Sequence, residues 1–245
     1  MIAKFNLLQA VSPALLMLTS AAGSAHAASL ILNGGFESAF SNWTTVDQAG
    51  GASNGWQIQT GALSPVNLVT VPPPPQGSHA AMTDAGGAGS HALFQSFTVT
   101  PGFLTTLSFS LFVGNQAGFF NPASLDFNTI PNQQVRVDIL TGVTTVANAF
   151  SLSSVVDNVL DPNANTAAYV PFSFNITNVV GAGGTFTLRF AEVDNQNIFN
   201  FGVDNVAIVT APQVVPEPAP QGPVAVVVAL LLFFAAMQRR TQAHI

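Results

Sequence analysis

Between Ser29 and Val209 apolar and polar residues alternate with a period of two. In TLSFSLFV (106–113), Leu107, Phe109, Leu111 and Val113 fall on one face. In QVRVDIL (134–140), Val135, Val137 and Ile139 alternate with Arg136 and Asp138. In VPFSFNIT (170–177), Phe172, Phe174 and Ile176 do the same, as do Phe186, Leu188 and Phe190 in GTFTLRFAEV (184–193). Successive side chains of a strand point to opposite sides, so each segment predicts a strand with one apolar face. Gly, Pro, Asn and Asp dominate the stretches between them, and the mature region contains no amphipathic helical pattern of useful length. Strands with one wet face each predict an all-β, antiparallel two-sheet sandwich of jelly-roll size, a single domain over residues 28–211. VPPPPQGS (71–78) reads as a stiff surface loop within it, because proline cannot donate to a sheet.

The pattern changes at both ends. Lys4 precedes the apolar run LLQAVSPALLMLTSAA, and AHA at 25–27 has the small-x-small form of a cleavage site, so residues 1–27 read as a signal peptide for Sec export. An uncleaved anchor is the competing reading, opposed by Gln9, Ser12 and Pro13 within the run. At the other end Pro216-Glu217-Pro218 is followed by an apolar span, 224–237, and then by Arg239 and Arg240. A helix rises 1.5 Å per residue, so this span reaches about 21 Å, short of a hydrocarbon core of about 30 Å. It suits temporary retention better than durable anchoring, with the arginines holding the end in the cytoplasm.

Charge narrows the partners. Residues 28–211 hold two arginines, Arg136 and Arg189, no lysine and ten carboxylates, a formal charge of −8. That excludes a nucleic-acid binder, which needs clustered cations against phosphate. Seventeen of the twenty Phe lie in this stretch, enough apolar surface to exclude disorder. There is no cysteine, so neither a disulfide nor a thiol nucleophile exists.

Enzymatic constellations are sparse. The one Gly-x-Ser-x-Gly match, GASNG (51–55), is followed by no helical pattern and so makes no strand-to-helix nucleophile elbow. His79 and His91, in GSHAA and GSHAL, would need a third ligand at helical or hairpin spacing to hold zinc, and the sequence does not display one. Glu37 and Glu192 are the only glutamates available for a glycosidase pair, which leaves an unrecognised hydrolase as a minor reading. In RFAEVDNQNIFNFGVDNV (189–206), Arg189, Glu192, Asp194 and Asp204 are candidates for a charge network, against a plain turn over 194–200. Trp43 and Trp56 are expected in the core. Phe119 and Phe120, in GFFNP, and Tyr169 are the aromatics that could be exposed to stack on a sugar ring.

NGGFE (33–37), with Trp43 shortly after, and VDNV (203–206) in the closing strand together resemble carbohydrate-binding modules with a galactose-binding-like jelly roll. That resemblance implies a first strand lying near the last, and a structural Ca²⁺ between them with Glu37 and Asp204 as side-chain ligands. Asn205 departs from the family's commoner Asp. The carboxyl-terminal segment 212–245 resembles the PEP-CTERM sorting signal of exopolysaccharide-producing Gram-negative bacteria. This implies Pro216-Glu217-Pro218 as the motif recognised by an exosortase, 224–237 as a transmembrane helix, and Arg239 and Arg240 as stop-transfer residues. A plain tail anchor explains the arginines but not the motif. The resulting expectation is an exported protein that passes through the inner membrane to the cell surface or biofilm matrix. There its non-catalytic sandwich meets exopolysaccharide, or serves as a purely structural protein with no saccharide ligand.

Overall fold

The computed structural model describes residues 28–84 and 86–213. The signal peptide, Pro216-Glu217-Pro218, the apolar span 224–237 and Arg239-Arg240 lie outside the described residues. Ten strands form: β1 (Thr44–Asp47), β2 (Trp56–Gln59), β3 (Ala80–Thr83), β4 (Gly89–Val99), β5 (Phe103–Asn115), β6 (Gln133–Thr141), β7 (Val155–Leu160), β8 (Val170–Asn175), β9 (Gly184–Asp194) and β10 (Phe199–Pro212). They make two five-stranded sheets, β1-β4-β9-β6-β7 and β2-β3-β10-β5-β8, with every pairing antiparallel. This is the two-sheet sandwich that the alternation predicts.

The predicted inward residues fill the space between the sheets. Leu107, Phe109, Leu111 and Val113 of β5 face Val135, Val137 and Ile139 of β6 and Leu188 and Phe190 of β9 in one cluster. Phe109 meets Phe190 edge to face at 5.6 Å, and stacks on Phe174 at 5.7 Å. The segment 170–177 is shorter as a strand than its alternation predicts. β8 ends at Asn175, and Ile176 opens a single helical turn, α1 (Thr177–Val180), while still burying its side chain.

The opening segment departs from the expected strand. Residues 30–35 bend rather than pair regularly, yet they lie along β10 through Leu30 N–H to Ile208 O and Val206 N–H to Gly34 O. Gly34 is required there, because a Cβ would collide with the Val206 carbonyl. Phe36 and Trp43 pack with tilted rings 5.3 Å apart in the core, and Trp43 Nε1 donates to Asn33 O. Trp56 is buried against Phe201. Both tryptophans therefore take the inward positions expected of them.

The outer face of the first sheet is not fully wet. Phe94 and Ala92 of β4 are covered by Ala149 and Phe150, and Ala191 and Val193 of β9 by Leu125, Phe127 and Leu152. Arg189 fixes this cover. Its guanidinium, fully buried, donates to Ala149 O and Ser151 O at 2.8 Å each and to Asp138 Oδ2 at 2.6 Å. The expected pairing of Arg189 with a carboxylate therefore forms, but outside the 189–206 cluster. Residue 189 differs in parity from 192 and 194, so its side chain leaves the opposite face of the strand.

Candidate functional site

One end of the sandwich gathers charged side chains on the inner, apolar face. Strand register places Asp47, His91 and Glu192 directly opposite one another across β1, β4 and β9. One pleat further, Asp194 of β9 sits opposite Gly89 of β4 and Gln133 of β6. Opposed residues of an antiparallel pair share a face, and this face is the one carrying Leu93, Leu188 and Phe190. His91 is 0 % exposed, Glu192 1 % and Asp194 6 %.

Asp47 Oδ1 lies 2.7 Å from His91 Nδ1 and accepts from the Gly55 N–H, while Oδ2 accepts from the Asn54 N–H. A proton on Nδ1 directed at Asp47 leaves the lone pair of His91 on Nε2. Nε2 stands 3.9 Å from Glu192 Oε2, beyond a hydrogen bond. Both His91 Nε2 and Glu192 Oε1 are buried without a hydrogen-bond partner. Gly55 and Gly89 make room for the ring; a Cβ on Gly89 would stand 2.6 Å from Nε2. Burial first, then the neighbouring Asp194 and Asp47 charges, hold the Glu192 carboxyl well above its usual range. Burial likewise raises Asp194 to about 6, opposed by His91 and by the Gly89 N–H that it accepts.

Asp194 also borders a cleft of about 350 Å³ lined by Asn67, 86–88 and 195–198. Its walls are held by their own amides. Asn195 Nδ2 donates to Phe127 O and Thr129 O, Gln133 Oε1 accepts from the N–H groups of Asn195 and Gln196, and Asn197 Nδ2 donates to Gln116 O. Across the cleft Asp84 accepts from the Asn67 backbone and side chain. Residues 195–198 do form the expected turn, but Asp194 is not merely turn chemistry.

Glu37 and Asp204 come together on a different feature, the proline-rich loop. Glu37 accepts from Ser78 N (2.8 Å), Ser78 Oγ (2.9 Å), His79 N (3.0 Å) and His79 Nδ1 (3.1 Å). Asp204, buried, accepts from Gln76 N and Asn205 N. The clamp between opening segment and last strand therefore exists, built from N–H and O–H donors of 76–79. These residues do not fit a Ca²⁺ cage: both oxygens of Glu37 face donors of the loop, which lies against the carboxylate with Gly77 at φ 62°. Nor do Ser78, His79 and Glu37 form a nucleophile relay, because the same Nδ1 faces both the hydroxyl and the carboxylate.

The aromatic candidates separate. Tyr169 turns onto the second sheet, its ring against Phe112 and Gly202 and its hydroxyl donating to Gln59 Oε1 at 2.6 Å; burial raises its pKa. Phe119 packs edge to face on Phe199, while Phe120 remains exposed beside Gln133. None of the three lines the cleft.

No family model matches the chain, and no curated protein matches it. Among solved structures it is similar to the carbohydrate-binding module TmCBM61 in complex with beta-1,4-galactotriose, with 12% identity and a TM-score of 0.46 over 75% of this chain and 99% of that one. It is also similar to a structure described as "CBM4 structure and function", with 15% identity and a TM-score of 0.41 over 74% and 99%. A third is a Stig cyclase, Fisc, from Fischerella sp. TAU, with 19% identity and a TM-score of 0.44 over 76% and 98%.

Proposed function

We propose that this is an exported, non-catalytic saccharide-binding protein that takes a hydroxyl-rich ligand in the cleft between 86–88 and 195–198. The observation that carries this reading is the composition of the cleft wall. Amide side chains and backbone and one carboxylate at the floor, on supports already bonded to the scaffold, place a few fixed polar groups in a partly apolar wall. A second cavity, of about 200 Å³, combines Leu111, Val113, Leu160 and Phe172 with Asn163, Asn165 and Thr166, and there Asn165 and Thr166 are already bonded to the Asn115 and Val113 backbone. The ligand fits the exopolysaccharide role expected from the carboxyl-terminal sorting signal. The Ser78-His79-Glu37 arrangement and the closed position of Glu192 favour binding over hydrolysis.

Retention of the full chain on immobilised exopolysaccharide tests the reading. Retarded migration, relieved by Gln196→Ala and Asn197→Ala, is expected; migration equal to a non-binding control across neutral polysaccharides would overturn it. The ligand-free structural reading has its own support in the inward-turned Trp43, Trp56 and Tyr169, and such a result would favour it. Export and exosortase sorting are tested apart from binding. Alanine in place of Pro216, Glu217 and Pro218 should leave the precursor in the inner membrane, and normal release would remove the sorting reading.

A further inference from the structure

We propose that His91, Glu192 and Asp194 form a binding site for a divalent first-row transition ion, Zn²⁺ in preference to Ca²⁺, with Asp47 orienting His91 from behind. Three observations converge on it. First, one ligand atom from each of the three residues can be chosen so that all lie within 4.8 Å of one another. Second, His91 Nε2 and Glu192 Oε1 are fully buried and have no partner. Two neighbouring buried polar atoms, neither hydrogen-bonded to the protein, are costly, and a cation satisfies both at once. Third, the Asp47 carboxylate on Nδ1 is the outer partner that selects the tautomer with Nε2 free for a metal.

The separation agrees. Ligands bound to Zn²⁺ at about 2.1 Å in a tetrahedron stand about 3.4 Å apart. Nε2 and Oε2 stand at 3.9 Å, closed by a small side-chain rotation. One imidazole with two carboxylates is a nitrogen-oxygen set that suits Zn²⁺, whereas Ca²⁺ takes six to eight oxygens. Asp194 borders the cleft, which provides the ion's access and leaves a coordination position open on that side.

The site is independent of the clamp at Glu37 and shares only Asp194 with the cleft. Equilibrium dialysis of the full chain against Zn²⁺, followed by metal quantification, should give about one tightly held ion per chain. Glu192→Gln and Asp194→Asn should each abolish it, Asp47→Asn should weaken it about tenfold, and Glu37→Gln should leave it unchanged. Co²⁺ in place of Zn²⁺ should give visible absorption of a four-coordinate site that disappears in Asp194→Asn. Wild-type chain retaining no Zn²⁺ would overturn the proposal. So would Glu192→Gln and Asp194→Asn that keep a folded circular-dichroism spectrum and the wild-type ion. If either variant fails to fold, the Asp47→Asn affinity and the Co²⁺ spectrum of the wild type decide. Polysaccharide retention without Zn²⁺ binding, or the reverse, separates this proposal from the saccharide reading.

Discussion

Glu37 and Asp204 bind the same loop and titrate in opposite directions. The His79 side chain, then the Ser78 and His79 N–H groups, hold exposed Glu37 down at about 2 from 4.5. Burial lifts Asp204 from 3.8 to about 6 against the N–H groups of Asn205 and Gln76, with the Glu37 charge adding to the rise. Above about 6 the Asp204 carboxylate is charged in both folded and unfolded chains, and its burial penalty applies in full. As pH falls from about 6 towards 3.8 the folded chain takes up a proton that the unfolded chain does not, so stability rises. Glu37 contributes fully above 4.5, and its contribution is lost as pH falls through about 2. The melting temperature should therefore climb as pH falls from about 6 to about 4, then fall in stronger acid. Asp204→Asn should flatten the climb and Glu37→Gln should soften the acid fall; a Tm profile identical in all three proteins would refute these assignments. The clamp is already closed by N–H donors, so Ca²⁺ should leave the Tm of the wild type unmoved. A calcium-dependent rise abolished by Asp204→Ala would instead place the ion there. The meeting of Glu37 and Asp204 was legible through a family likeness. The His91 site was not, although a signal stood in the register: carrying the alternation of Phe186, Leu188 and Phe190 two steps further puts Glu192 and Asp194 on the core face.

Two elements depend on single side chains. β10 changes parity in mid-course: Phe199, Phe201 and Val203 point inward, and so do Val206 and Ile208. A bulge at Asn205 makes the change, with the register against β5 slipping between Asp204 and Ala207 and Asn205 at φ 55°. Asn tolerates this left-handed conformation where most residues do not. Asn205→Val should cost about 1–2 kcal/mol in urea unfolding, and Asn205→Gly much less; equal midpoints for the two variants would deny the strain. On the opposite sheet, Asp138 of β6 accepts from Arg136, Arg189 and Asn158. Asp138→Ala would leave Arg189 buried without its counter-ion, an expected loss of about 3–5 kcal/mol. A loss below about 1 kcal/mol would show that Arg189 is held by the Ala149 and Ser151 carbonyls alone. The same cover explains what alternation could reveal. β5 and β6 were plain because their polar residues mark one face, whereas β4 buries Ala92 and Phe94 outward beneath 149–150 and so lacks a period of two. β3, four small or apolar-flanked residues buried on both faces, carries no such signal either.

At the scale of the whole molecule, charge limits what can approach the cleft. Ten carboxylates and two arginines surround and support the sandwich, and both arginines are engaged by Asp138. No described lysine exists to offset the field. A polyanion nearing this surface meets repulsion that extends about 10 Å at 0.1 M salt and shrinks as salt is added. An uncharged polysaccharide meets none, and on the proposed reading its hydroxyls would exchange water for the amides and carboxylate of the cleft. Retention of the full chain on a neutral polysaccharide should therefore change little between about 0.05 and 0.5 M NaCl, a range over which the screening length falls about threefold. Retention on a uronate-rich polymer should be weaker at the low-salt end and increase as salt is added, because screening removes the repulsion faster than it removes any short-range contact. Affinity electrophoresis or column retardation at matched pH reads both. Tight binding to the polyanion at low salt that fades with added salt is the opposite sign. It would mean that a cationic patch, rather than the amide-walled cleft, takes the ligand.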